Sequence, residues 1–203
     1  GLYLTHSVSG EITRKIVHIG AGNVILLAWW LQTPAWMGIM ASIAFSLVAL
    51  LSYWLPILPG SNSVGRTSLG TFFYAVSIGV LTATFWPQGL PEFAVLGILT
   101  MTWGDGMAAL VGQSIGRHPY QIWEMKKSWE GTSAMALVSF AAGWLVLGSV
   151  YGFTLTMGAI ALIVALSATL LESFSKWGID NLTVPLASGF FAYGLWAVIV
   201  ANP

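Results

Sequence analysis

Asp105 is the side chain whose type and surroundings most favour chemistry, because it lies in an apolar run with a glycine on each side. Burying an ionisable group within a membrane span costs roughly 2.5–3.5 kcal/mol, so such residues are functional candidates. The Asp105 carboxylate is suited to hold a divalent metal ion or to accept a proton. Gly104 and Gly106 loosen the helix and allow a ligand to approach. Gly104, Ala108 and Gly112 also form a ridge of small residues typical of helix packing, which explains the glycines but not the carboxylate.

A second set of candidates lies near the start of the chain, where Glu11, Arg14, Lys15 and His18 are related by spacings of three and four residues. That spacing places them on one face of a helix. Arg14 and Lys15 also suit an interfacial anchor whose charged ends reach the lipid headgroups. His18 and Asn23 lie deeper, where an anchor has no use for them, so we expect His18 to contribute to a site.

The third set is the polar segment from Ser114 to Glu130 and the helix that it enters. Lys126 and Lys127 come directly before Ser128, whose side chain is suited to cap the start of a helix. Free backbone N–H groups at a helix start, next to two lysines, form an anion site suited to phosphate. An ordinary lysine-rich loop has the same composition, and the full Walker pattern is absent, so no P-loop fold is implied. Further members of this set are Arg117, Glu130, Gly131 and Thr132.

The fourth set joins the end of the sixth apolar run to the start of the seventh and contains Glu172, Lys176, Asp180 and Asn181. Glu172 and Lys176 form an i,i+4 pair of the kind found at solvated helix ends. Asp180 and Asn181 fit a turn or a cap that precedes a helix. Each feature taken singly has a structural explanation, so its functional meaning depends on convergence with the other sets.

The composition determines what kind of protein must position these residues. Of 203 residues, 57% are hydrophobic and 7% are charged, against about 25% charged in a soluble domain. This composition excludes a soluble enzyme and a disordered chain, and the net charge of zero excludes a nucleic-acid binder. The absence of cysteine excludes disulfides and thiolate sites. The sequence predicts a single-domain integral membrane protein over residues 1–203, trimmed at its N-terminus because no initiator methionine is present.

Runs of about 20 apolar residues predict membrane-spanning helices, and the chain contains seven such runs. They cover approximately residues 15–31, 35–55, 69–86, 91–113, 131–150, 153–172 and 184–201. With this count, every lysine and arginine falls on one side of the membrane, and of the acids only Glu92 falls on the other. The positive-inside rule then places the N-terminus in the cytoplasm, or its organellar equivalent, and the C-terminus on the opposite side. The predicted fold class is an all-α polytopic membrane protein with all four sets on its cytoplasmic face.

The convergence of these sets on one face indicates a class of chemistry. Carboxylates that hold a divalent metal, beside cations that hold phosphates, are the groups required for phosphoryl or nucleotidyl transfer. That chemistry depends on charge neutralisation and positioning more than on covalent catalysis. A seven-span transporter is the non-enzymatic alternative, but a transport path needs polar groups across the whole bilayer.

Five sequence blocks, in order, resemble the phytol kinase and dolichol kinase family, whose members are polytopic membrane enzymes that use CTP to phosphorylate a lipid alcohol. The blocks are Glu11-x-x-Arg14-Lys15-x-x-His18-Ile19-x-Ala21-Gly22, Gly104-Asp105-Gly106-x-Ala108, Gly112-x-x-x-Gly116-x-x-Pro119-Tyr120, Lys126-Lys127-Ser128-x-Glu130-Gly131-Thr132 and Asp180-Asn181-Leu182-Thr183-Val184-Pro185-Leu186. The short chain and its final block are most similar to the phytol kinases of photosynthetic organisms. CDP-diacylglycerol synthases share the central block, but they end with a basic–acidic motif and a His-Gly-Gly that do not follow Thr183 here.

The resemblance implies transfer of the γ-phosphoryl group of CTP to a long-chain isoprenoid alcohol, with phytol as the expected acceptor and Mg²⁺ as the cofactor. It implies that Asp105 binds the metal or accepts the hydroxyl proton, and that Glu130 orients Lys127 or a metal-bound water. The full catalytic set that it implies is Asp105, Lys127, Glu130 and His18, and the metal ligands are Asp105, Asp180 and Glu172. The nucleotide-binding set is Arg14, Lys15, Gly104, Gly106, Arg117, Lys126, Ser128, Gly131, Thr132 and Asn181.

The resemblance also implies an enzyme surrounded by the lipids of a bacterial, cyanobacterial or plastid membrane. A CTP:lipid-phosphate cytidylyltransferase is the enzymatic alternative, and it would release pyrophosphate rather than CDP. The sequence does not select among phytol, dolichol and diacylglycerol as acceptors, or among CTP, UTP and ATP as donors. It also leaves a homo-oligomer open, because eleven tryptophans serve membrane belts and protein interfaces equally well.

Overall fold

A computed structural model describes residues 19–52 and 69–201, and these residues are almost entirely helical. The helices are α1 (Val24–Trp30), α2 (Ala35–Leu51), α3 (Gly70–Phe85), α4 (Pro91–Leu99), α5 (Gly106–Ile115), α6 (Trp129–Tyr151), α7 (Leu155–Phe174) and α8 (Asp180–Trp196). Two π-helical segments, Thr100–Asp105 and Ala197–Ala201, join α4 to α5 and extend α8. The predicted all-α class is confirmed, with the addition of one small β-hairpin.

Four helical segments are long and apolar enough to cross a membrane: Pro91–Ile115, Trp129–Tyr151, Leu155–Phe174 and Asp180–Ala201. Three shorter apolar helices, Ile19–Trp30, Ala35–Leu51 and Gly70–Phe85, lie in the first three predicted runs. Since a bilayer core is about 30 Å thick and a helix rises about 1.5 Å per residue, these helices fall short of a full perpendicular span. The structure therefore supports four of the seven predicted spans by length.

The exterior of the helical bundle is apolar, as expected for a protein surrounded by lipid. Large side chains such as Leu137, Leu145 and Leu155 are exposed on α6 and α7. A soluble monomer rarely exposes such extensive apolar patches. Together with the four long apolar helices, this surface indicates a membrane protein.

Pro91–Ile115 is the central helix of the bundle, and it carries Asp105. All residues from Glu92 to Leu99 are buried, and the segment is more enclosed by the protein than the other three long helices. A helix that is apolar on every side is stable only when other helices surround it. The bundle therefore holds Asp105 within a fixed framework rather than on a peripheral helix.

A β-hairpin occupies part of the polar segment that was predicted as a loop. Strand β1 (Pro119–Ile122) pairs antiparallel with β2 (Met125–Ser128), and Tyr120 lies opposite Lys127. Alternate residues of each strand are more buried, so Lys127 points toward the protein and Lys126 away from it. The hairpin thus distinguishes two lysines that are adjacent in sequence.

Candidate active site

Asp105 ends a π-helical segment within the central helix. Its side chain is buried, with 6% of its surface exposed. π-Helical segments inside α-helices occur frequently at functional sites, because the extra residue in the turn changes the direction of side chains. The sequence predicted loosening of the helix by the flanking glycines, and the structure has a π-helix over Thr100–Asp105.

Lys127 and Glu172 form a largely buried ion pair beside this segment. The Lys127 Nζ atom lies 2.5 Å from Oε1 of Glu172 and donates a second hydrogen bond, at 2.7 Å, to the backbone carbonyl of the same residue. The side chains are 16% and 12% exposed. Charge-assisted hydrogen bonds of this kind are strong and fix geometry. Strand β2 and the end of α7 therefore hold one cation and one carboxylate in a defined position.

Two further carboxylates, those of Asp105 and Asp180, act on this pair. The charge of Glu172 interacts with those of Asp105 and Asp180 in addition to that of Lys127. The three acids come from the central helix, the end of α7 and the start of α8, so together with Lys127 the fold connects residues of the first, third and fourth sets. Within residues 19–52 and 69–201, no three acidic or histidine side chains lie close enough to form a preformed metal site.

Ser128 caps the start of α6, as predicted, because its Oγ atom accepts a hydrogen bond from the backbone N–H of Gly131 at 3.1 Å. The N–H of Trp129 donates to the carbonyl of His118 at 3.1 Å. These amides at the helix start already have partners within the protein. The phosphate cradle predicted at this helix start therefore requires these hydrogen bonds to rearrange.

Gly131 serves the close packing of α5 against α6. A Cβ atom at Gly131 would lie 2.7 Å from the carbonyl oxygen of Ala108 and 3.2 Å from the Cα atom of Gly112. A Cβ atom at Gly104 would lie 2.7 Å from the Sδ atom of Met135. Gly104, Ala108 and Gly112 thus form the predicted packing ridge.

Gly106 and Asn181, predicted to bind nucleotide, also have structural contacts. A Cβ atom at Gly106 would lie 2.6 Å from Cγ1 of Ile19. The side-chain amide of Asn181 donates to the carbonyl of Gly178 and to Asp180 Oδ1, both at 3.3 Å. Asn181 therefore holds the turn before α8 and helps to position Asp180.

Glu130 contacts His118 rather than Lys127, so the predicted orientation of Lys127 by Glu130 is wrong. Its Oε1 atom lies 2.6 Å from Nδ1 of His118, and Oε2 accepts from the His118 backbone N–H at 3.3 Å. The Lys127 ammonium group is paired with Glu172 instead. No periodic pattern in the sequence indicates the His118 contact, because the hairpin reverses the chain between the two residues.

The remaining predicted residues of the polar segment lie toward the outside of the site. Arg117 and Lys126 are exposed. The Thr132 hydroxyl is hydrogen bonded to that of Tyr120 at 2.5 Å. Lys127 is therefore the cation of this set that faces the carboxylates.

Lys176 does not form the predicted pair with Glu172. Helix α7 ends at Phe174, before Lys176, and the i,i+4 geometry does not continue beyond it. The Lys176 ammonium group instead lies 4.9 Å from the centre of a ring of Trp123 in the hairpin turn. This contact is a cation–π interaction.

The predicted residues Arg14, Lys15 and His18 lie outside the described residues, but the helix that follows them packs beside the site. Asn23 accepts a hydrogen bond at 2.9 Å from the indole N–H of Trp103, two residues before Asp105. The polar Asn23 side chain, which the sequence singled out, therefore contacts the central helix.

Three relatives show what the chain is similar to. The phytol kinase of Synechocystis is 56% identical over 189 residues, which cover 92% of this chain and 81% of the relative. A protein of Oryza sativa named "Probable phytol kinase 2, chloroplastic" is 32% identical over 88% of this chain and 64% of its own length. The chloroplastic farnesol kinase of Arabidopsis thaliana is 27% identical over 92% of this chain and 66% of its own length. No model of a protein family and no solved structure matches the chain.

Proposed function

Because this chain belongs to the phytol kinase family, we propose that it transfers the γ-phosphoryl group of CTP to the hydroxyl group of a long isoprenoid alcohol, with phytol as the acceptor. The observation that carries this proposal is the Lys127–Glu172 ion pair, in which the charge of Glu172 also interacts with the charges of Asp105 and Asp180. A fixed cation beside several carboxylates is the arrangement that phosphoryl transfer requires, since catalysis depends on positioning and charge neutralisation.

In this proposal, Lys127 binds the phosphate oxygens of the nucleotide while Glu172 keeps its ammonium group in place. The exposed side chains of Lys126 and Arg117 increase the positive potential through which the triphosphate approaches. Arg14, Lys15 and His18 are proposed to stabilise the transferring group from the N-terminal side. Glu130 is proposed to orient a bound water rather than Lys127.

The donor atoms at the site fit Mg²⁺. This ion prefers oxygen ligands and is commonly held by one or two carboxylates together with waters and substrate phosphates. Asp105 and Asp180 would supply those carboxylates, with Glu172 as the further acid of the group, so a preformed cluster of three is not required. When bound, Mg²⁺ would neutralise charge on the transferring phosphoryl group.

The proposed topology has seven membrane crossings, with the N-terminus and the site on the cytoplasmic or stromal face and the C-terminus on the other. The described lysines and arginines fall at the site's end of the predicted topology, as the positive-inside rule expects. The three shorter helices would bring the number of crossings to seven if each crosses the membrane together with polar or irregular residues at its ends.

The experiment that tests the proposed function is a transfer assay with the purified full chain in detergent, Mg²⁺ and CTP labelled at the γ-phosphate. Phytol, dolichol and diacylglycerol are supplied in turn. We expect label in an organic-soluble phosphate and CDP as the second product, with phytol as the best acceptor. Release of pyrophosphate in the presence of a lipid phosphate would identify a cytidylyltransferase instead. Absence of both products would contradict an enzymatic role in CTP-linked lipid chemistry.

A further inference from the structure

A cavity of about 690 Å³ lies at the junction of the hairpin turn, the start of α3 and the end of α7. Its size falls within the range of about 300–1,000 Å³ that is usual for ligand sites. Among the described residues that line it, six are apolar and one, Lys176, is charged. The apolar lining includes Phe73, Phe174 and two tryptophans, Trp123 and Trp177.

Both tryptophans have a strained backbone. Trp123 and Trp177 each have a φ angle of +56°, in the left-handed region that a bulky side chain rarely adopts. Strained residues persist where the surrounding structure holds them, and they cluster at ligand sites. Of the three described non-glycine residues with positive φ, two border this cavity. The backbone strain of the described residues therefore concentrates at the edge of this cavity.

Among the described residues that line the cavity, Lys176 carries the charge. The Lys176 ammonium group lies against the Trp123 ring at 4.9 Å. Lys176 follows Glu172 by four residues and Trp123 precedes Lys127 by four residues, so the backbone of this charged edge lies within about 14 Å of the backbone of the ion pair. The cavity thus has an apolar body and a cationic edge on the chain segments that also carry the groups proposed to bind phosphate.

We propose that this cavity binds the hydrocarbon chain of the isoprenoid alcohol, with its hydroxyl end at Lys176 and directed toward Lys127. A long hydrocarbon with one polar end matches six apolar side chains and one cation. A cytosine base would need several hydrogen-bonding partners, and leaving its polar edge unpaired would weaken binding. The exposed rings of Trp123 and Trp177 leave the edge of the cavity accessible to the alcohol. This inference rests on the proposed kinase function and adds the location of its acceptor.

The kinetic test uses Trp177→Ala and Trp123→Ala in the full chain, with Trp36→Ala as the control. Trp36 is an exposed tryptophan of α2 that does not line the cavity. We expect each cavity variant to raise the KM for a twenty-carbon isoprenoid alcohol about tenfold, which is about 1.4 kcal/mol of binding. The KM for a five-carbon prenol and the KM for CTP should change less than about twofold, because neither ligand fills the cavity. An increase in the KM for CTP alone would assign the cavity to the nucleotide and overturn the proposal.

A binding test without nucleotide separates this inference from the proposed function. The full chain is irradiated with a diazirine-bearing isoprenoid alcohol, and the labelled peptides are mapped by mass spectrometry. We expect label at the hairpin turn and at residues 174–179, suppressed by unlabelled alcohol and weak in Trp177→Ala. Label confined to the smaller cavity near Asn23 and Trp103, in a chain that phosphorylates the alcohol, would overturn the site and leave the kinase intact. Label at the expected residues, in a chain that phosphorylates no alcohol, would support the site and contradict the kinase.

Discussion

The central helix carries two buried carboxylates, Glu92 in its first turn and Asp105 at the end of its π-helical segment, and the surroundings of the two differ. Glu92 is 4% exposed and accepts one hydrogen bond, at 2.5 Å, from the hydroxyl of Tyr151. Asp105 is 6% exposed and lies in electrostatic contact with Glu172, whose partner is Lys127. The two acids are about 20 Å apart along the helix axis.

This difference teaches that burial alone does not identify a functional acid. Glu92 lies against aromatic rings, with its neighbour Phe93 close to Tyr151, Tyr193 and Trp196. Such an environment holds a polar group in place, and among residues 19–52 and 69–201 no cation is paired with Glu92. The Asp105 charge interacts with that of Glu172, which is itself paired with Lys127 and also interacts with Asp180. We therefore infer a structural role for Glu92 and a chemical role for Asp105.

The largest effect should come from Asp105→Asn, which removes a negative charge while preserving shape. We expect the rate of lipid phosphate formation to fall at least a hundredfold, on the order of a lost metal ligand or proton acceptor. Glu92→Gln is the matched control in the first turn of the same helix, and its rate should stay within about threefold. Initial rates at saturating CTP and alcohol, on protein with normal elution from size exclusion, measure both. Near-normal turnover by Asp105→Asn would remove it from the mechanism.

The next effect concerns the two adjacent lysines of β2. Lys127→Met leaves the Glu172 carboxylate without its partner, and breaking a buried ion pair costs about 3–5 kcal/mol. We expect the thermal midpoint to fall and activity to fall at least tenfold. Lys126→Met, on the exposed face of the same strand, should change stability by less than about 0.5 kcal/mol.

A double variant separates stability from chemistry at this pair. Replacing both partners of a buried pair by apolar residues is often neutral for stability, so Lys127→Met combined with Glu172→Leu should recover much of the thermal midpoint. Its activity should remain low, because the proposed phosphate-binding cation is absent. Recovery of activity along with stability would show that the pair serves the fold alone.

The helices were predictable from the sequence because long apolar runs are a local signal. The fifth apolar run covers residues 131–150, and the observed helix covers Trp129–Tyr151. The helix begins two residues before the run because Ser128 caps it. The hairpin was missed because strands of four residues are too short to show an alternating pattern. Pairing between strands is also a tertiary property.

The types of residue at the site were predictable, whereas their partners were not. Asp105 was singled out because a carboxylate in an apolar run needs an explanation. Lys127 and Glu172 are separated by 45 residues, and no spacing rule connects them. Their pairing depends on how the hairpin folds back against α7. The left-handed backbone of Trp123 and Trp177 likewise has no sequence signal, because tryptophan rarely adopts it.

A smaller effect, on stability only, is expected at the Glu92 end. Tyr151→Phe removes the hydroxyl that donates to Glu92, and leaving a buried acceptor unsatisfied costs about 1–3 kcal/mol. We expect a lower thermal midpoint and, below that midpoint, activity within about twofold of the unmodified chain. Tyr193→Phe, in the same aromatic cluster, is the control and should leave the midpoint nearly unchanged. A large loss of activity in Tyr151→Phe would show that the surroundings of Glu92 are coupled to those of Asp105.

The smallest effect should come from His118→Ala at the edge of the site. The His118 side chain is 76% exposed, and exposed ion pairs contribute little because water screens them. We expect activity within about twofold and no measurable change in the thermal midpoint. Glu130→Gln is the informative companion, because the sequence resemblance gives this acid a catalytic role while its contact in the structure is with His118. A loss of about tenfold or more in Glu130→Gln, with His118→Ala near normal, would mean that the carboxylate acts on the substrate or its bound water. A large loss of activity in both variants would instead show that the exposed His118–Glu130 pair is part of the active site. The active site would then extend from Asp105 to the surface of the protein.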